Sequence, residues 1–106
     1  MFVMYAIYVG IIKSSNYEKW FLNLRDNEAQ YRILTRIRRL SMGNPGDVKP
    51  AGEGVSEMRL DYGPGYRIYY KDIGENTVIL YGGDKRTQQA DINEAKKIAK
   101  TYEEEN

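Results

Sequence analysis

The amino-acid sequence predicts an α+β domain in which helices pack on a hairpin-rich antiparallel sheet. Val55–Tyr62 alternates two sets of side chains with period two, which is typical of a strand with one packed face. Turn signals follow at residues 63–65 and 74–76, so that three strands succeed one another as two hairpins. Residues 17–40 instead repeat apolar side chains at helical spacing. With a strand before them and a helix at the end, the predicted order is β-α-α-β-β-β-α.

Composition limits the chemistry that the chain can perform. The 106 residues are predicted to form a single domain, residues 1–106. Histidine and cysteine are both absent, which removes the commonest neutral-pH acid/base, thiolate nucleophiles and the usual zinc ligands. We therefore expect a protein that uses no metal or other cofactor. The net charge of +1 does not by itself identify a nucleic-acid partner.

The apolar segment Met1–Ile12 is too short for a membrane helix, which needs about 20 apolar residues. It also lacks the basic residues that precede the apolar core of a signal peptide. Its aromatic and β-branched residues predict a central β-strand instead. The expected location is the cytoplasm, without a membrane partner.

Two helices are predicted next, joined as an antiparallel αα-hairpin. Residues 14–16 offer N-cap side chains, and Ser15 with Glu18 has the spacing of a capping box. Asn27 is the predicted cap of the second helix, and Gly43 is placed to end it. Residues 43–54, rich in glycine and proline, are predicted to form a loop.

The second helix carries Arg32, Arg36 and Arg39 at a spacing that predicts one exposed basic stripe. A solvated face, contact with nucleic-acid phosphates and contact with an acidic partner protein are all compatible with this spacing. The apolar residues of all the elements are predicted to form one core between the helices and the sheet. Its expected members are Trp20, Phe21, Ile33, Ile37, Met58, Leu60, Ile68, Leu80 and Ile98.

The first hairpin determines which charged side chains share a sheet face. With a three-residue loop at residues 63–65, Tyr62 would pair with Tyr66. The remaining pairs are then Arg59 with Tyr69, Glu57 with Lys71 and Asp61 with Arg67. These charges would form either ordinary cross-strand ion pairs or a charged floor that receives a polyanion.

Six motifs in register carry a resemblance that spans roughly Met4–Tyr102. They are WFLxLRD at 20–26, RIRRL at 36–40, GNPGDxK at 43–49, GVSEMR at 54–59, GPGYRxYY at 63–70 and GGDK at 82–85. The chain resembles the HigB-type addiction-module killer branch of the RelE/ParE toxin superfamily. The resemblance implies the RelE-like fold and the toxin of a type II toxin–antitoxin pair.

The resemblance further implies a ribosome-dependent endoribonuclease that cuts messenger RNA and so inhibits translation. RNA supplies its own nucleophile, the 2′-OH, so such an enzyme must orient the phosphodiester and stabilise its charge. The implied partners are messenger RNA on the ribosome and a cognate antitoxin, typically a small helix-turn-helix protein. ParE-like relatives poison DNA gyrase instead, and a degenerate toxin kept as a binding module is the third alternative.

The residues implied by the resemblance fall into two groups. Arg67 would clamp the scissile phosphate, with Arg59 and Lys85 completing the phosphate-binding set and Arg86 as an ambiguous second match to Lys85. Arg67 is expected to be exposed, so that its removal would cost little stability.

Proton-transfer and contact roles are less defined. Glu57 would act as a base or only pair with Lys71. Lys49 would approach the leaving group, and Tyr69 would stack on a base.

Overall fold

The computed structural model describes residues 10–105, which form a five-stranded sheet with helices on both faces. The strands are β1 (Gly10–Lys13), β2 (Val48–Gly52), β3 (Val55–Arg59), β4 (Tyr66–Ile73) and β5 (Asn76–Asp84). The helices are α1 (Ser15–Leu22), α2 (Asn27–Ser41) and α3 (Gln88–Glu105), with a 3-10 turn at Lys85–Thr87 before α3. The α+β class and the three predicted helices are confirmed.

The sheet is mixed rather than purely antiparallel. Its order is β1-β5-β4-β3-β2, and β1 runs parallel to β5 while all other neighbours are antiparallel. Among the described strands β1 therefore lies at an edge, where the sequence predicted a central strand. Most of that predicted strand, residues 1–9, lies outside the described residues.

Strand β2 is absent from the predicted order, because its sequence Val-Lys-Pro-Ala-Gly looks like a loop. Proline cannot donate a ladder hydrogen bond, so Pro50 is tolerated where it is found, on an edge strand. The pairing with β3 is also irregular between Pro50 and Gly52. The predicted loop is thus a short strand that protects one side of β3.

The predicted register of the first hairpin is wrong by two residues. Arg59 pairs with Arg67, and Glu57 pairs with Tyr69. The connection is longer than three residues, since the Leu60 amide donates to the Tyr66 carbonyl at 3.0 Å and a tight turn follows inside it. A shift of two positions keeps every side chain on its predicted face, so the grouping of Glu57, Arg59 and Arg67 survives.

The N-cap of α1 is Ser14, one of the predicted candidates, whereas the N-cap of α2 is Asp26, one residue before the predicted Asn27. The Ser14 hydroxyl accepts from the Tyr17 amide at the start of α1, and the Asp26 carboxylate accepts from the Ala29 amide at the start of α2. The end of α2 is as predicted: Gly43 has a φ of 83°, the left-handed conformation that glycine adopts easily at a helix C′ position.

Two hydrophobic cores, one on each face of the sheet, replace the predicted single core. The α1/α2 side is built from residues such as Tyr17, Ile33 and Ile68, whereas Leu80 and Ile98 belong to the α3 side. Because both sheet faces are covered by helices, strand side chains that point to either face are buried. The face of β3 that was predicted to be open is therefore covered as well.

Gly82 shows how closely α1 approaches the sheet. A Cβ atom at this position would meet the Trp20 ring at 2.3 Å, so only glycine lets the indole lie against β5. None of the helices in residues 10–105 is long and apolar enough to cross a membrane.

Candidate functional site

A cleft of about 420 Å³ opens where β3 ends, and we call it the basic cleft. It is lined by Asp47, Arg59, Leu60, Asp61, Gly63, Pro64, Gly65, Arg67 and Lys85. Three of the predicted phosphate-binding residues, Arg59, Arg67 and Lys85, thus share one cavity. They come from the end of β3, from β4 and from the turn after β5, so sheet pairing brings them together.

Glu57 supplies the counter-charge for the two arginines. Its carboxylate is buried and lies 3.8 Å from Nε of Arg59 and 4.0 Å from Nε of Arg67. It also accepts hydrogen bonds from the Tyr69 hydroxyl at 3.1 Å and from the Gln88 amide at 2.7 Å. A buried carboxylate with these partners is suited to orient guanidinium groups.

The alternative partner predicted for Glu57 is wrong. Lys71 instead donates to the Glu53 carbonyl at 2.8 Å and to the Glu103 carboxylate at 2.6 Å. The shifted hairpin register is the physical cause, because it places Tyr69 rather than Lys71 opposite Glu57.

Arg67 lies in the floor of the basic cleft and is not the exposed arginine that the sequence predicted. Its side chain is only 7% exposed. Nη1 donates to the carbonyls of Gly65 and Tyr66, each at 3.2 Å, while the buried Nε has no hydrogen-bond partner. Removal of Arg67 would therefore disturb the fold as well as the cleft.

Tyr69 has a structural position that does not fit the predicted stacking role. The residue is fully buried between the sheet and α3, so its ring offers no face to a nucleic-acid base. Burial, together with the neighbouring Glu57 carboxylate, raises the pKa of the Tyr69 hydroxyl above its ordinary value. The phenol therefore stays protonated and serves as a donor to Glu57.

Lys85 and Arg86, the two alternatives for one phosphate-binding position, point in different directions. Lys85 lines the basic cleft and approaches Gly65. Arg86 turns away, and two of its nitrogens bind the Asp84 carboxylate at 3.1 and 2.9 Å. The paired carboxylate raises the pKa of the Arg86 guanidinium, but the side chain remains 80% exposed.

Lys49 is placed beside the site and not in it. It pairs with Glu57 in the register of β2 and β3, so it projects from the same sheet face. The side chain is exposed and does not line the basic cleft.

Sequence reasoning missed Asp47 and Gln88 and misplaced Arg36. Asp61 was predicted on this face as the partner of Arg67, which instead pairs with Arg59. Asp47 and Asp61 are exposed carboxylates that line the cleft, and Gln88 holds Glu57. Arg36 was placed on an exposed stripe, but its guanidinium donates to the carbonyls of Arg59, Pro45 and Asp47 at 2.7, 2.9 and 3.2 Å. It thus holds one wall of the cleft in place. The i, i+4 spacing of arginines gave no signal of these tertiary contacts.

The cleft chemistry suits an anion with several oxygen atoms. Arg59, Arg67 and Lys85 present cationic donors, and guanidinium groups match phosphate geometry. Within residues 10–105 no cluster of three or more acidic side chains could hold a metal ion. Two exposed carboxylates at the cleft, Asp47 and Asp61, could accept a proton from a ligand.

Comparison with known proteins corrects the resemblance read from the motifs. A family model described as "Phage derived protein Gp49-like (DUF891)" matches residues 19–103. A protein of Haemophilus influenzae named "Uncharacterized protein" is 42% identical over 92 residues, which is 86% of this chain and 93% of the relative. The assignment to the HigB-type branch of the RelE/ParE superfamily is therefore wrong, since the matching family is a distinct one.

Proposed function

Because the chain belongs to the phage-derived Gp49-like family, we propose that it is a toxin that cleaves RNA. The family is associated with toxin–antitoxin-like modules. Endoribonuclease activity on messenger RNA goes beyond this association and is part of our proposal. The observation that supports it is the convergence of Arg59, Arg67 and Lys85 on one cleft.

The phosphodiester would lie in the basic cleft with its non-bridging oxygens toward Arg67 and Lys85. The 2′-oxygen of the preceding ribose attacks phosphorus and the bond to the 5′-oxygen breaks. The products are a 2′,3′-cyclic phosphate and a 5′-hydroxyl, which takes up one proton while the 2′-hydroxyl loses one. Charge grows on phosphate oxygens in this step, so fixed cationic donors lower its barrier.

Glu57 acts in this proposal as a positioning residue. Its carboxylate is covered by two arginines, a tyrosine and a glutamine, so it is poorly accessible to a substrate proton. By neutralising Arg67 it fixes the orientation of the guanidinium in the floor of the cleft.

The proton acceptor for the 2′-hydroxyl is then an exposed carboxylate of the cleft wall. Asp61 is the freer of the two, because Asp47 lies beside the Arg36 guanidinium. Asp61→Asn keeps the shape of the side chain and removes its basicity, so it separates proton transfer from phosphate binding.

Single-turnover cleavage of ribosome-bound message tests the proposal. Lys85→Ala and Arg59→Ala should each lower the cleavage rate by about 10²–10³, the usual cost of one stabilising contact at a reaction centre. Arg67→Lys keeps the positive charge but loses the bidentate geometry of the guanidinium. The cleavage rate should therefore fall although the buried cation is retained. Arg38→Ala is the matched control, since this exposed arginine of α2 lies away from the cleft.

Circular dichroism and thermal unfolding establish that each variant is folded. A folded Lys85→Ala/Arg59→Ala double variant that cuts message at the rate of Arg38→Ala would overturn the proposed nuclease site. A wild-type protein that arrests growth with message intact and gyrase trapped on DNA would overturn the RNA substrate.

A cognate antitoxin is the proposed protein partner. An acidic segment could bind the basic cleft, or bind the exposed arginines Arg32 and Arg39 of α2. Co-purification with the product of the neighbouring gene should fail after Lys85→Glu in the first case and after Arg39→Glu in the second. If both variants retain the complex, charge is not what holds the partner.

A further inference from the structure

A second cavity of about 500 Å³ adjoins the basic cleft, and we call it the aromatic pocket. It is lined by Asn16, Lys19, Trp20, Asn23, Leu24, Pro64, Tyr66, Tyr81, Asp84 and Arg86. Neither the family match nor the proposed cleavage chemistry gives it a role. Its volume is in the range of about 300–1,000 Å³ that is usual for small-ligand sites.

Aromatic and amide groups dominate the chemistry of this pocket. The Trp20 and Tyr66 rings meet edge to face with centroids 6.2 Å apart, and Trp20 is held in place against Gly82. The Asn16 and Asn23 side chains are exposed and line this pocket. Unpaired bases stack on aromatic rings and hydrogen-bond through their edges, for which an amide supplies both a donor and an acceptor.

The pocket and the basic cleft share a wall. Pro64 lines both, and the consecutive residues Lys85 and Arg86 line one each. The two cavities therefore meet around the end of the β3–β4 hairpin, on the two sides of the sheet. A nucleotide strand that places a phosphate in the basic cleft would have an adjoining base beside Pro64.

Charge at the rim also favours a nucleic-acid strand. Lys19 is exposed and forms no ion pair with a described residue. Arg86 is paired with Asp84 but keeps most of its surface exposed. Cations beside aromatic rings are the combination by which proteins hold single strands.

We propose that the aromatic pocket binds an unpaired nucleobase of the RNA strand whose phosphate occupies the basic cleft. This inference rests on the proposed function and adds a base subsite to it. Trp20 and Tyr66 provide the apolar contact, Asn16 and Asn23 read the edge of the base, and Lys19 contacts the backbone. The pocket thereby influences which nucleotide adjoins the cleaved bond.

The single tryptophan of the chain makes the pocket directly observable. The indole N–H of Trp20 gives one resonance in a ¹H–¹⁵N spectrum of the labelled protein. Titration with each of the four nucleoside 5′-monophosphates should shift it saturably for at least one base. Ribose 5-phosphate and inorganic phosphate, which lack the base, should leave it in place.

Asn23→Ala and Lys19→Ala should each weaken binding of that nucleotide about threefold or more. The matched controls are Asn44→Ala and Lys97→Ala, exposed residues of the same types outside both cavities. If no nucleotide shifts the indole resonance, or if the pocket variants bind as the controls do, the base subsite does not exist. Loss of antitoxin binding in the same two variants, with nucleotide binding absent, would assign the pocket to a protein partner instead.

Cleavage assays on the same variants separate this inference from the proposed function. Unchanged cleavage rates and unchanged cleavage positions in Asn23→Ala and Lys19→Ala would refute the base subsite but not the proposed nuclease activity. Base-dependent shifts of the Trp20 resonance in a protein that cuts no RNA would support the base-binding pocket and refute the nuclease activity.

Discussion

Glu57→Gln is the change that probes the basic cleft most directly. The substitution keeps the shape of the side chain and removes the charge that faces Arg59 and Arg67. The amide oxygen can still accept both hydrogen bonds that Tyr69 and Gln88 donate to one carboxylate oxygen, but the amide nitrogen, a donor, then faces the two arginines. The Arg67 guanidinium, with 7% of its side chain exposed, would then be left without a counter-charge.

The expected magnitude follows from this burial. Breaking a fully buried ion pair costs roughly 3–5 kcal/mol, because it leaves a buried charge without compensation. Because the ion-pair distances are 3.8 and 4.0 Å and Arg59 is partly solvated, we expect a loss of about 3 kcal/mol in the free energy of unfolding. For a domain of this size that corresponds to a fall in Tm of about 12 °C.

Urea denaturation followed by circular dichroism measures the difference. The control is Glu28→Gln, which removes an exposed i, i+4 partner of Arg32 on α2 and should cost less than about 0.5 kcal/mol. Equal free energies of unfolding for the two variants would show that the buried Arg67 guanidinium does not need the Glu57 carboxylate. The role of Glu57 as the counter-charge of the cleft would then be refuted.

Two further predictions concern a wall of the basic cleft and the N-cap of α2. Arg36→Ala should lower the free energy of unfolding by about 2 kcal/mol, because three backbone carbonyls lose their donor, and hydrogen exchange should accelerate at Asp47 and Arg59; Arg39→Ala is the silent control. Asp26→Asn should destabilise the protein at pH 7, and in urea titrations the loss should shrink as the pH is lowered below 3.8. The Ala29 amide and the Tyr62 hydroxyl hold the pKa of this carboxylate below its ordinary value of 3.8, so its stabilisation exists above that pH and is lost as the pH falls. A penalty that is constant with pH would mean that only the helix cap is affected.

The sequence was sufficient for the elements whose signals are local. Apolar periodicity located α1 and α2, and glycine and proline located the turns around β4. It failed at β2, where Pro50 and Gly52 give a loop-like composition to an edge strand. Parallel pairing of β1 with β5 has no local signal at all, because it depends on residues far apart in the chain.

For the candidate site, the sequence predicted which side chains share a sheet face. Period-two alternation placed Glu57, Arg59 and Arg67 together even with the wrong register. Burial was not predictable, because α3 covers that face and the sequence does not say on which side of the sheet a terminal helix packs. The roles expected for Tyr69 and for an exposed Arg67 failed for this reason.

The pairing of β1 with β5 also determines when the sheet can be completed during synthesis. Lys13 pairs with Ile79, and the Ser14 amide and hydroxyl bind the carbonyls of Ile79 and Leu80 at 2.9 and 2.6 Å. None of these contacts can form until most of the chain has left the ribosome, and closing so long a loop slows folding. The start of α1 therefore reaches its native contacts only after β5 has been synthesised. A nascent chain that ends before β5 cannot form the complete domain.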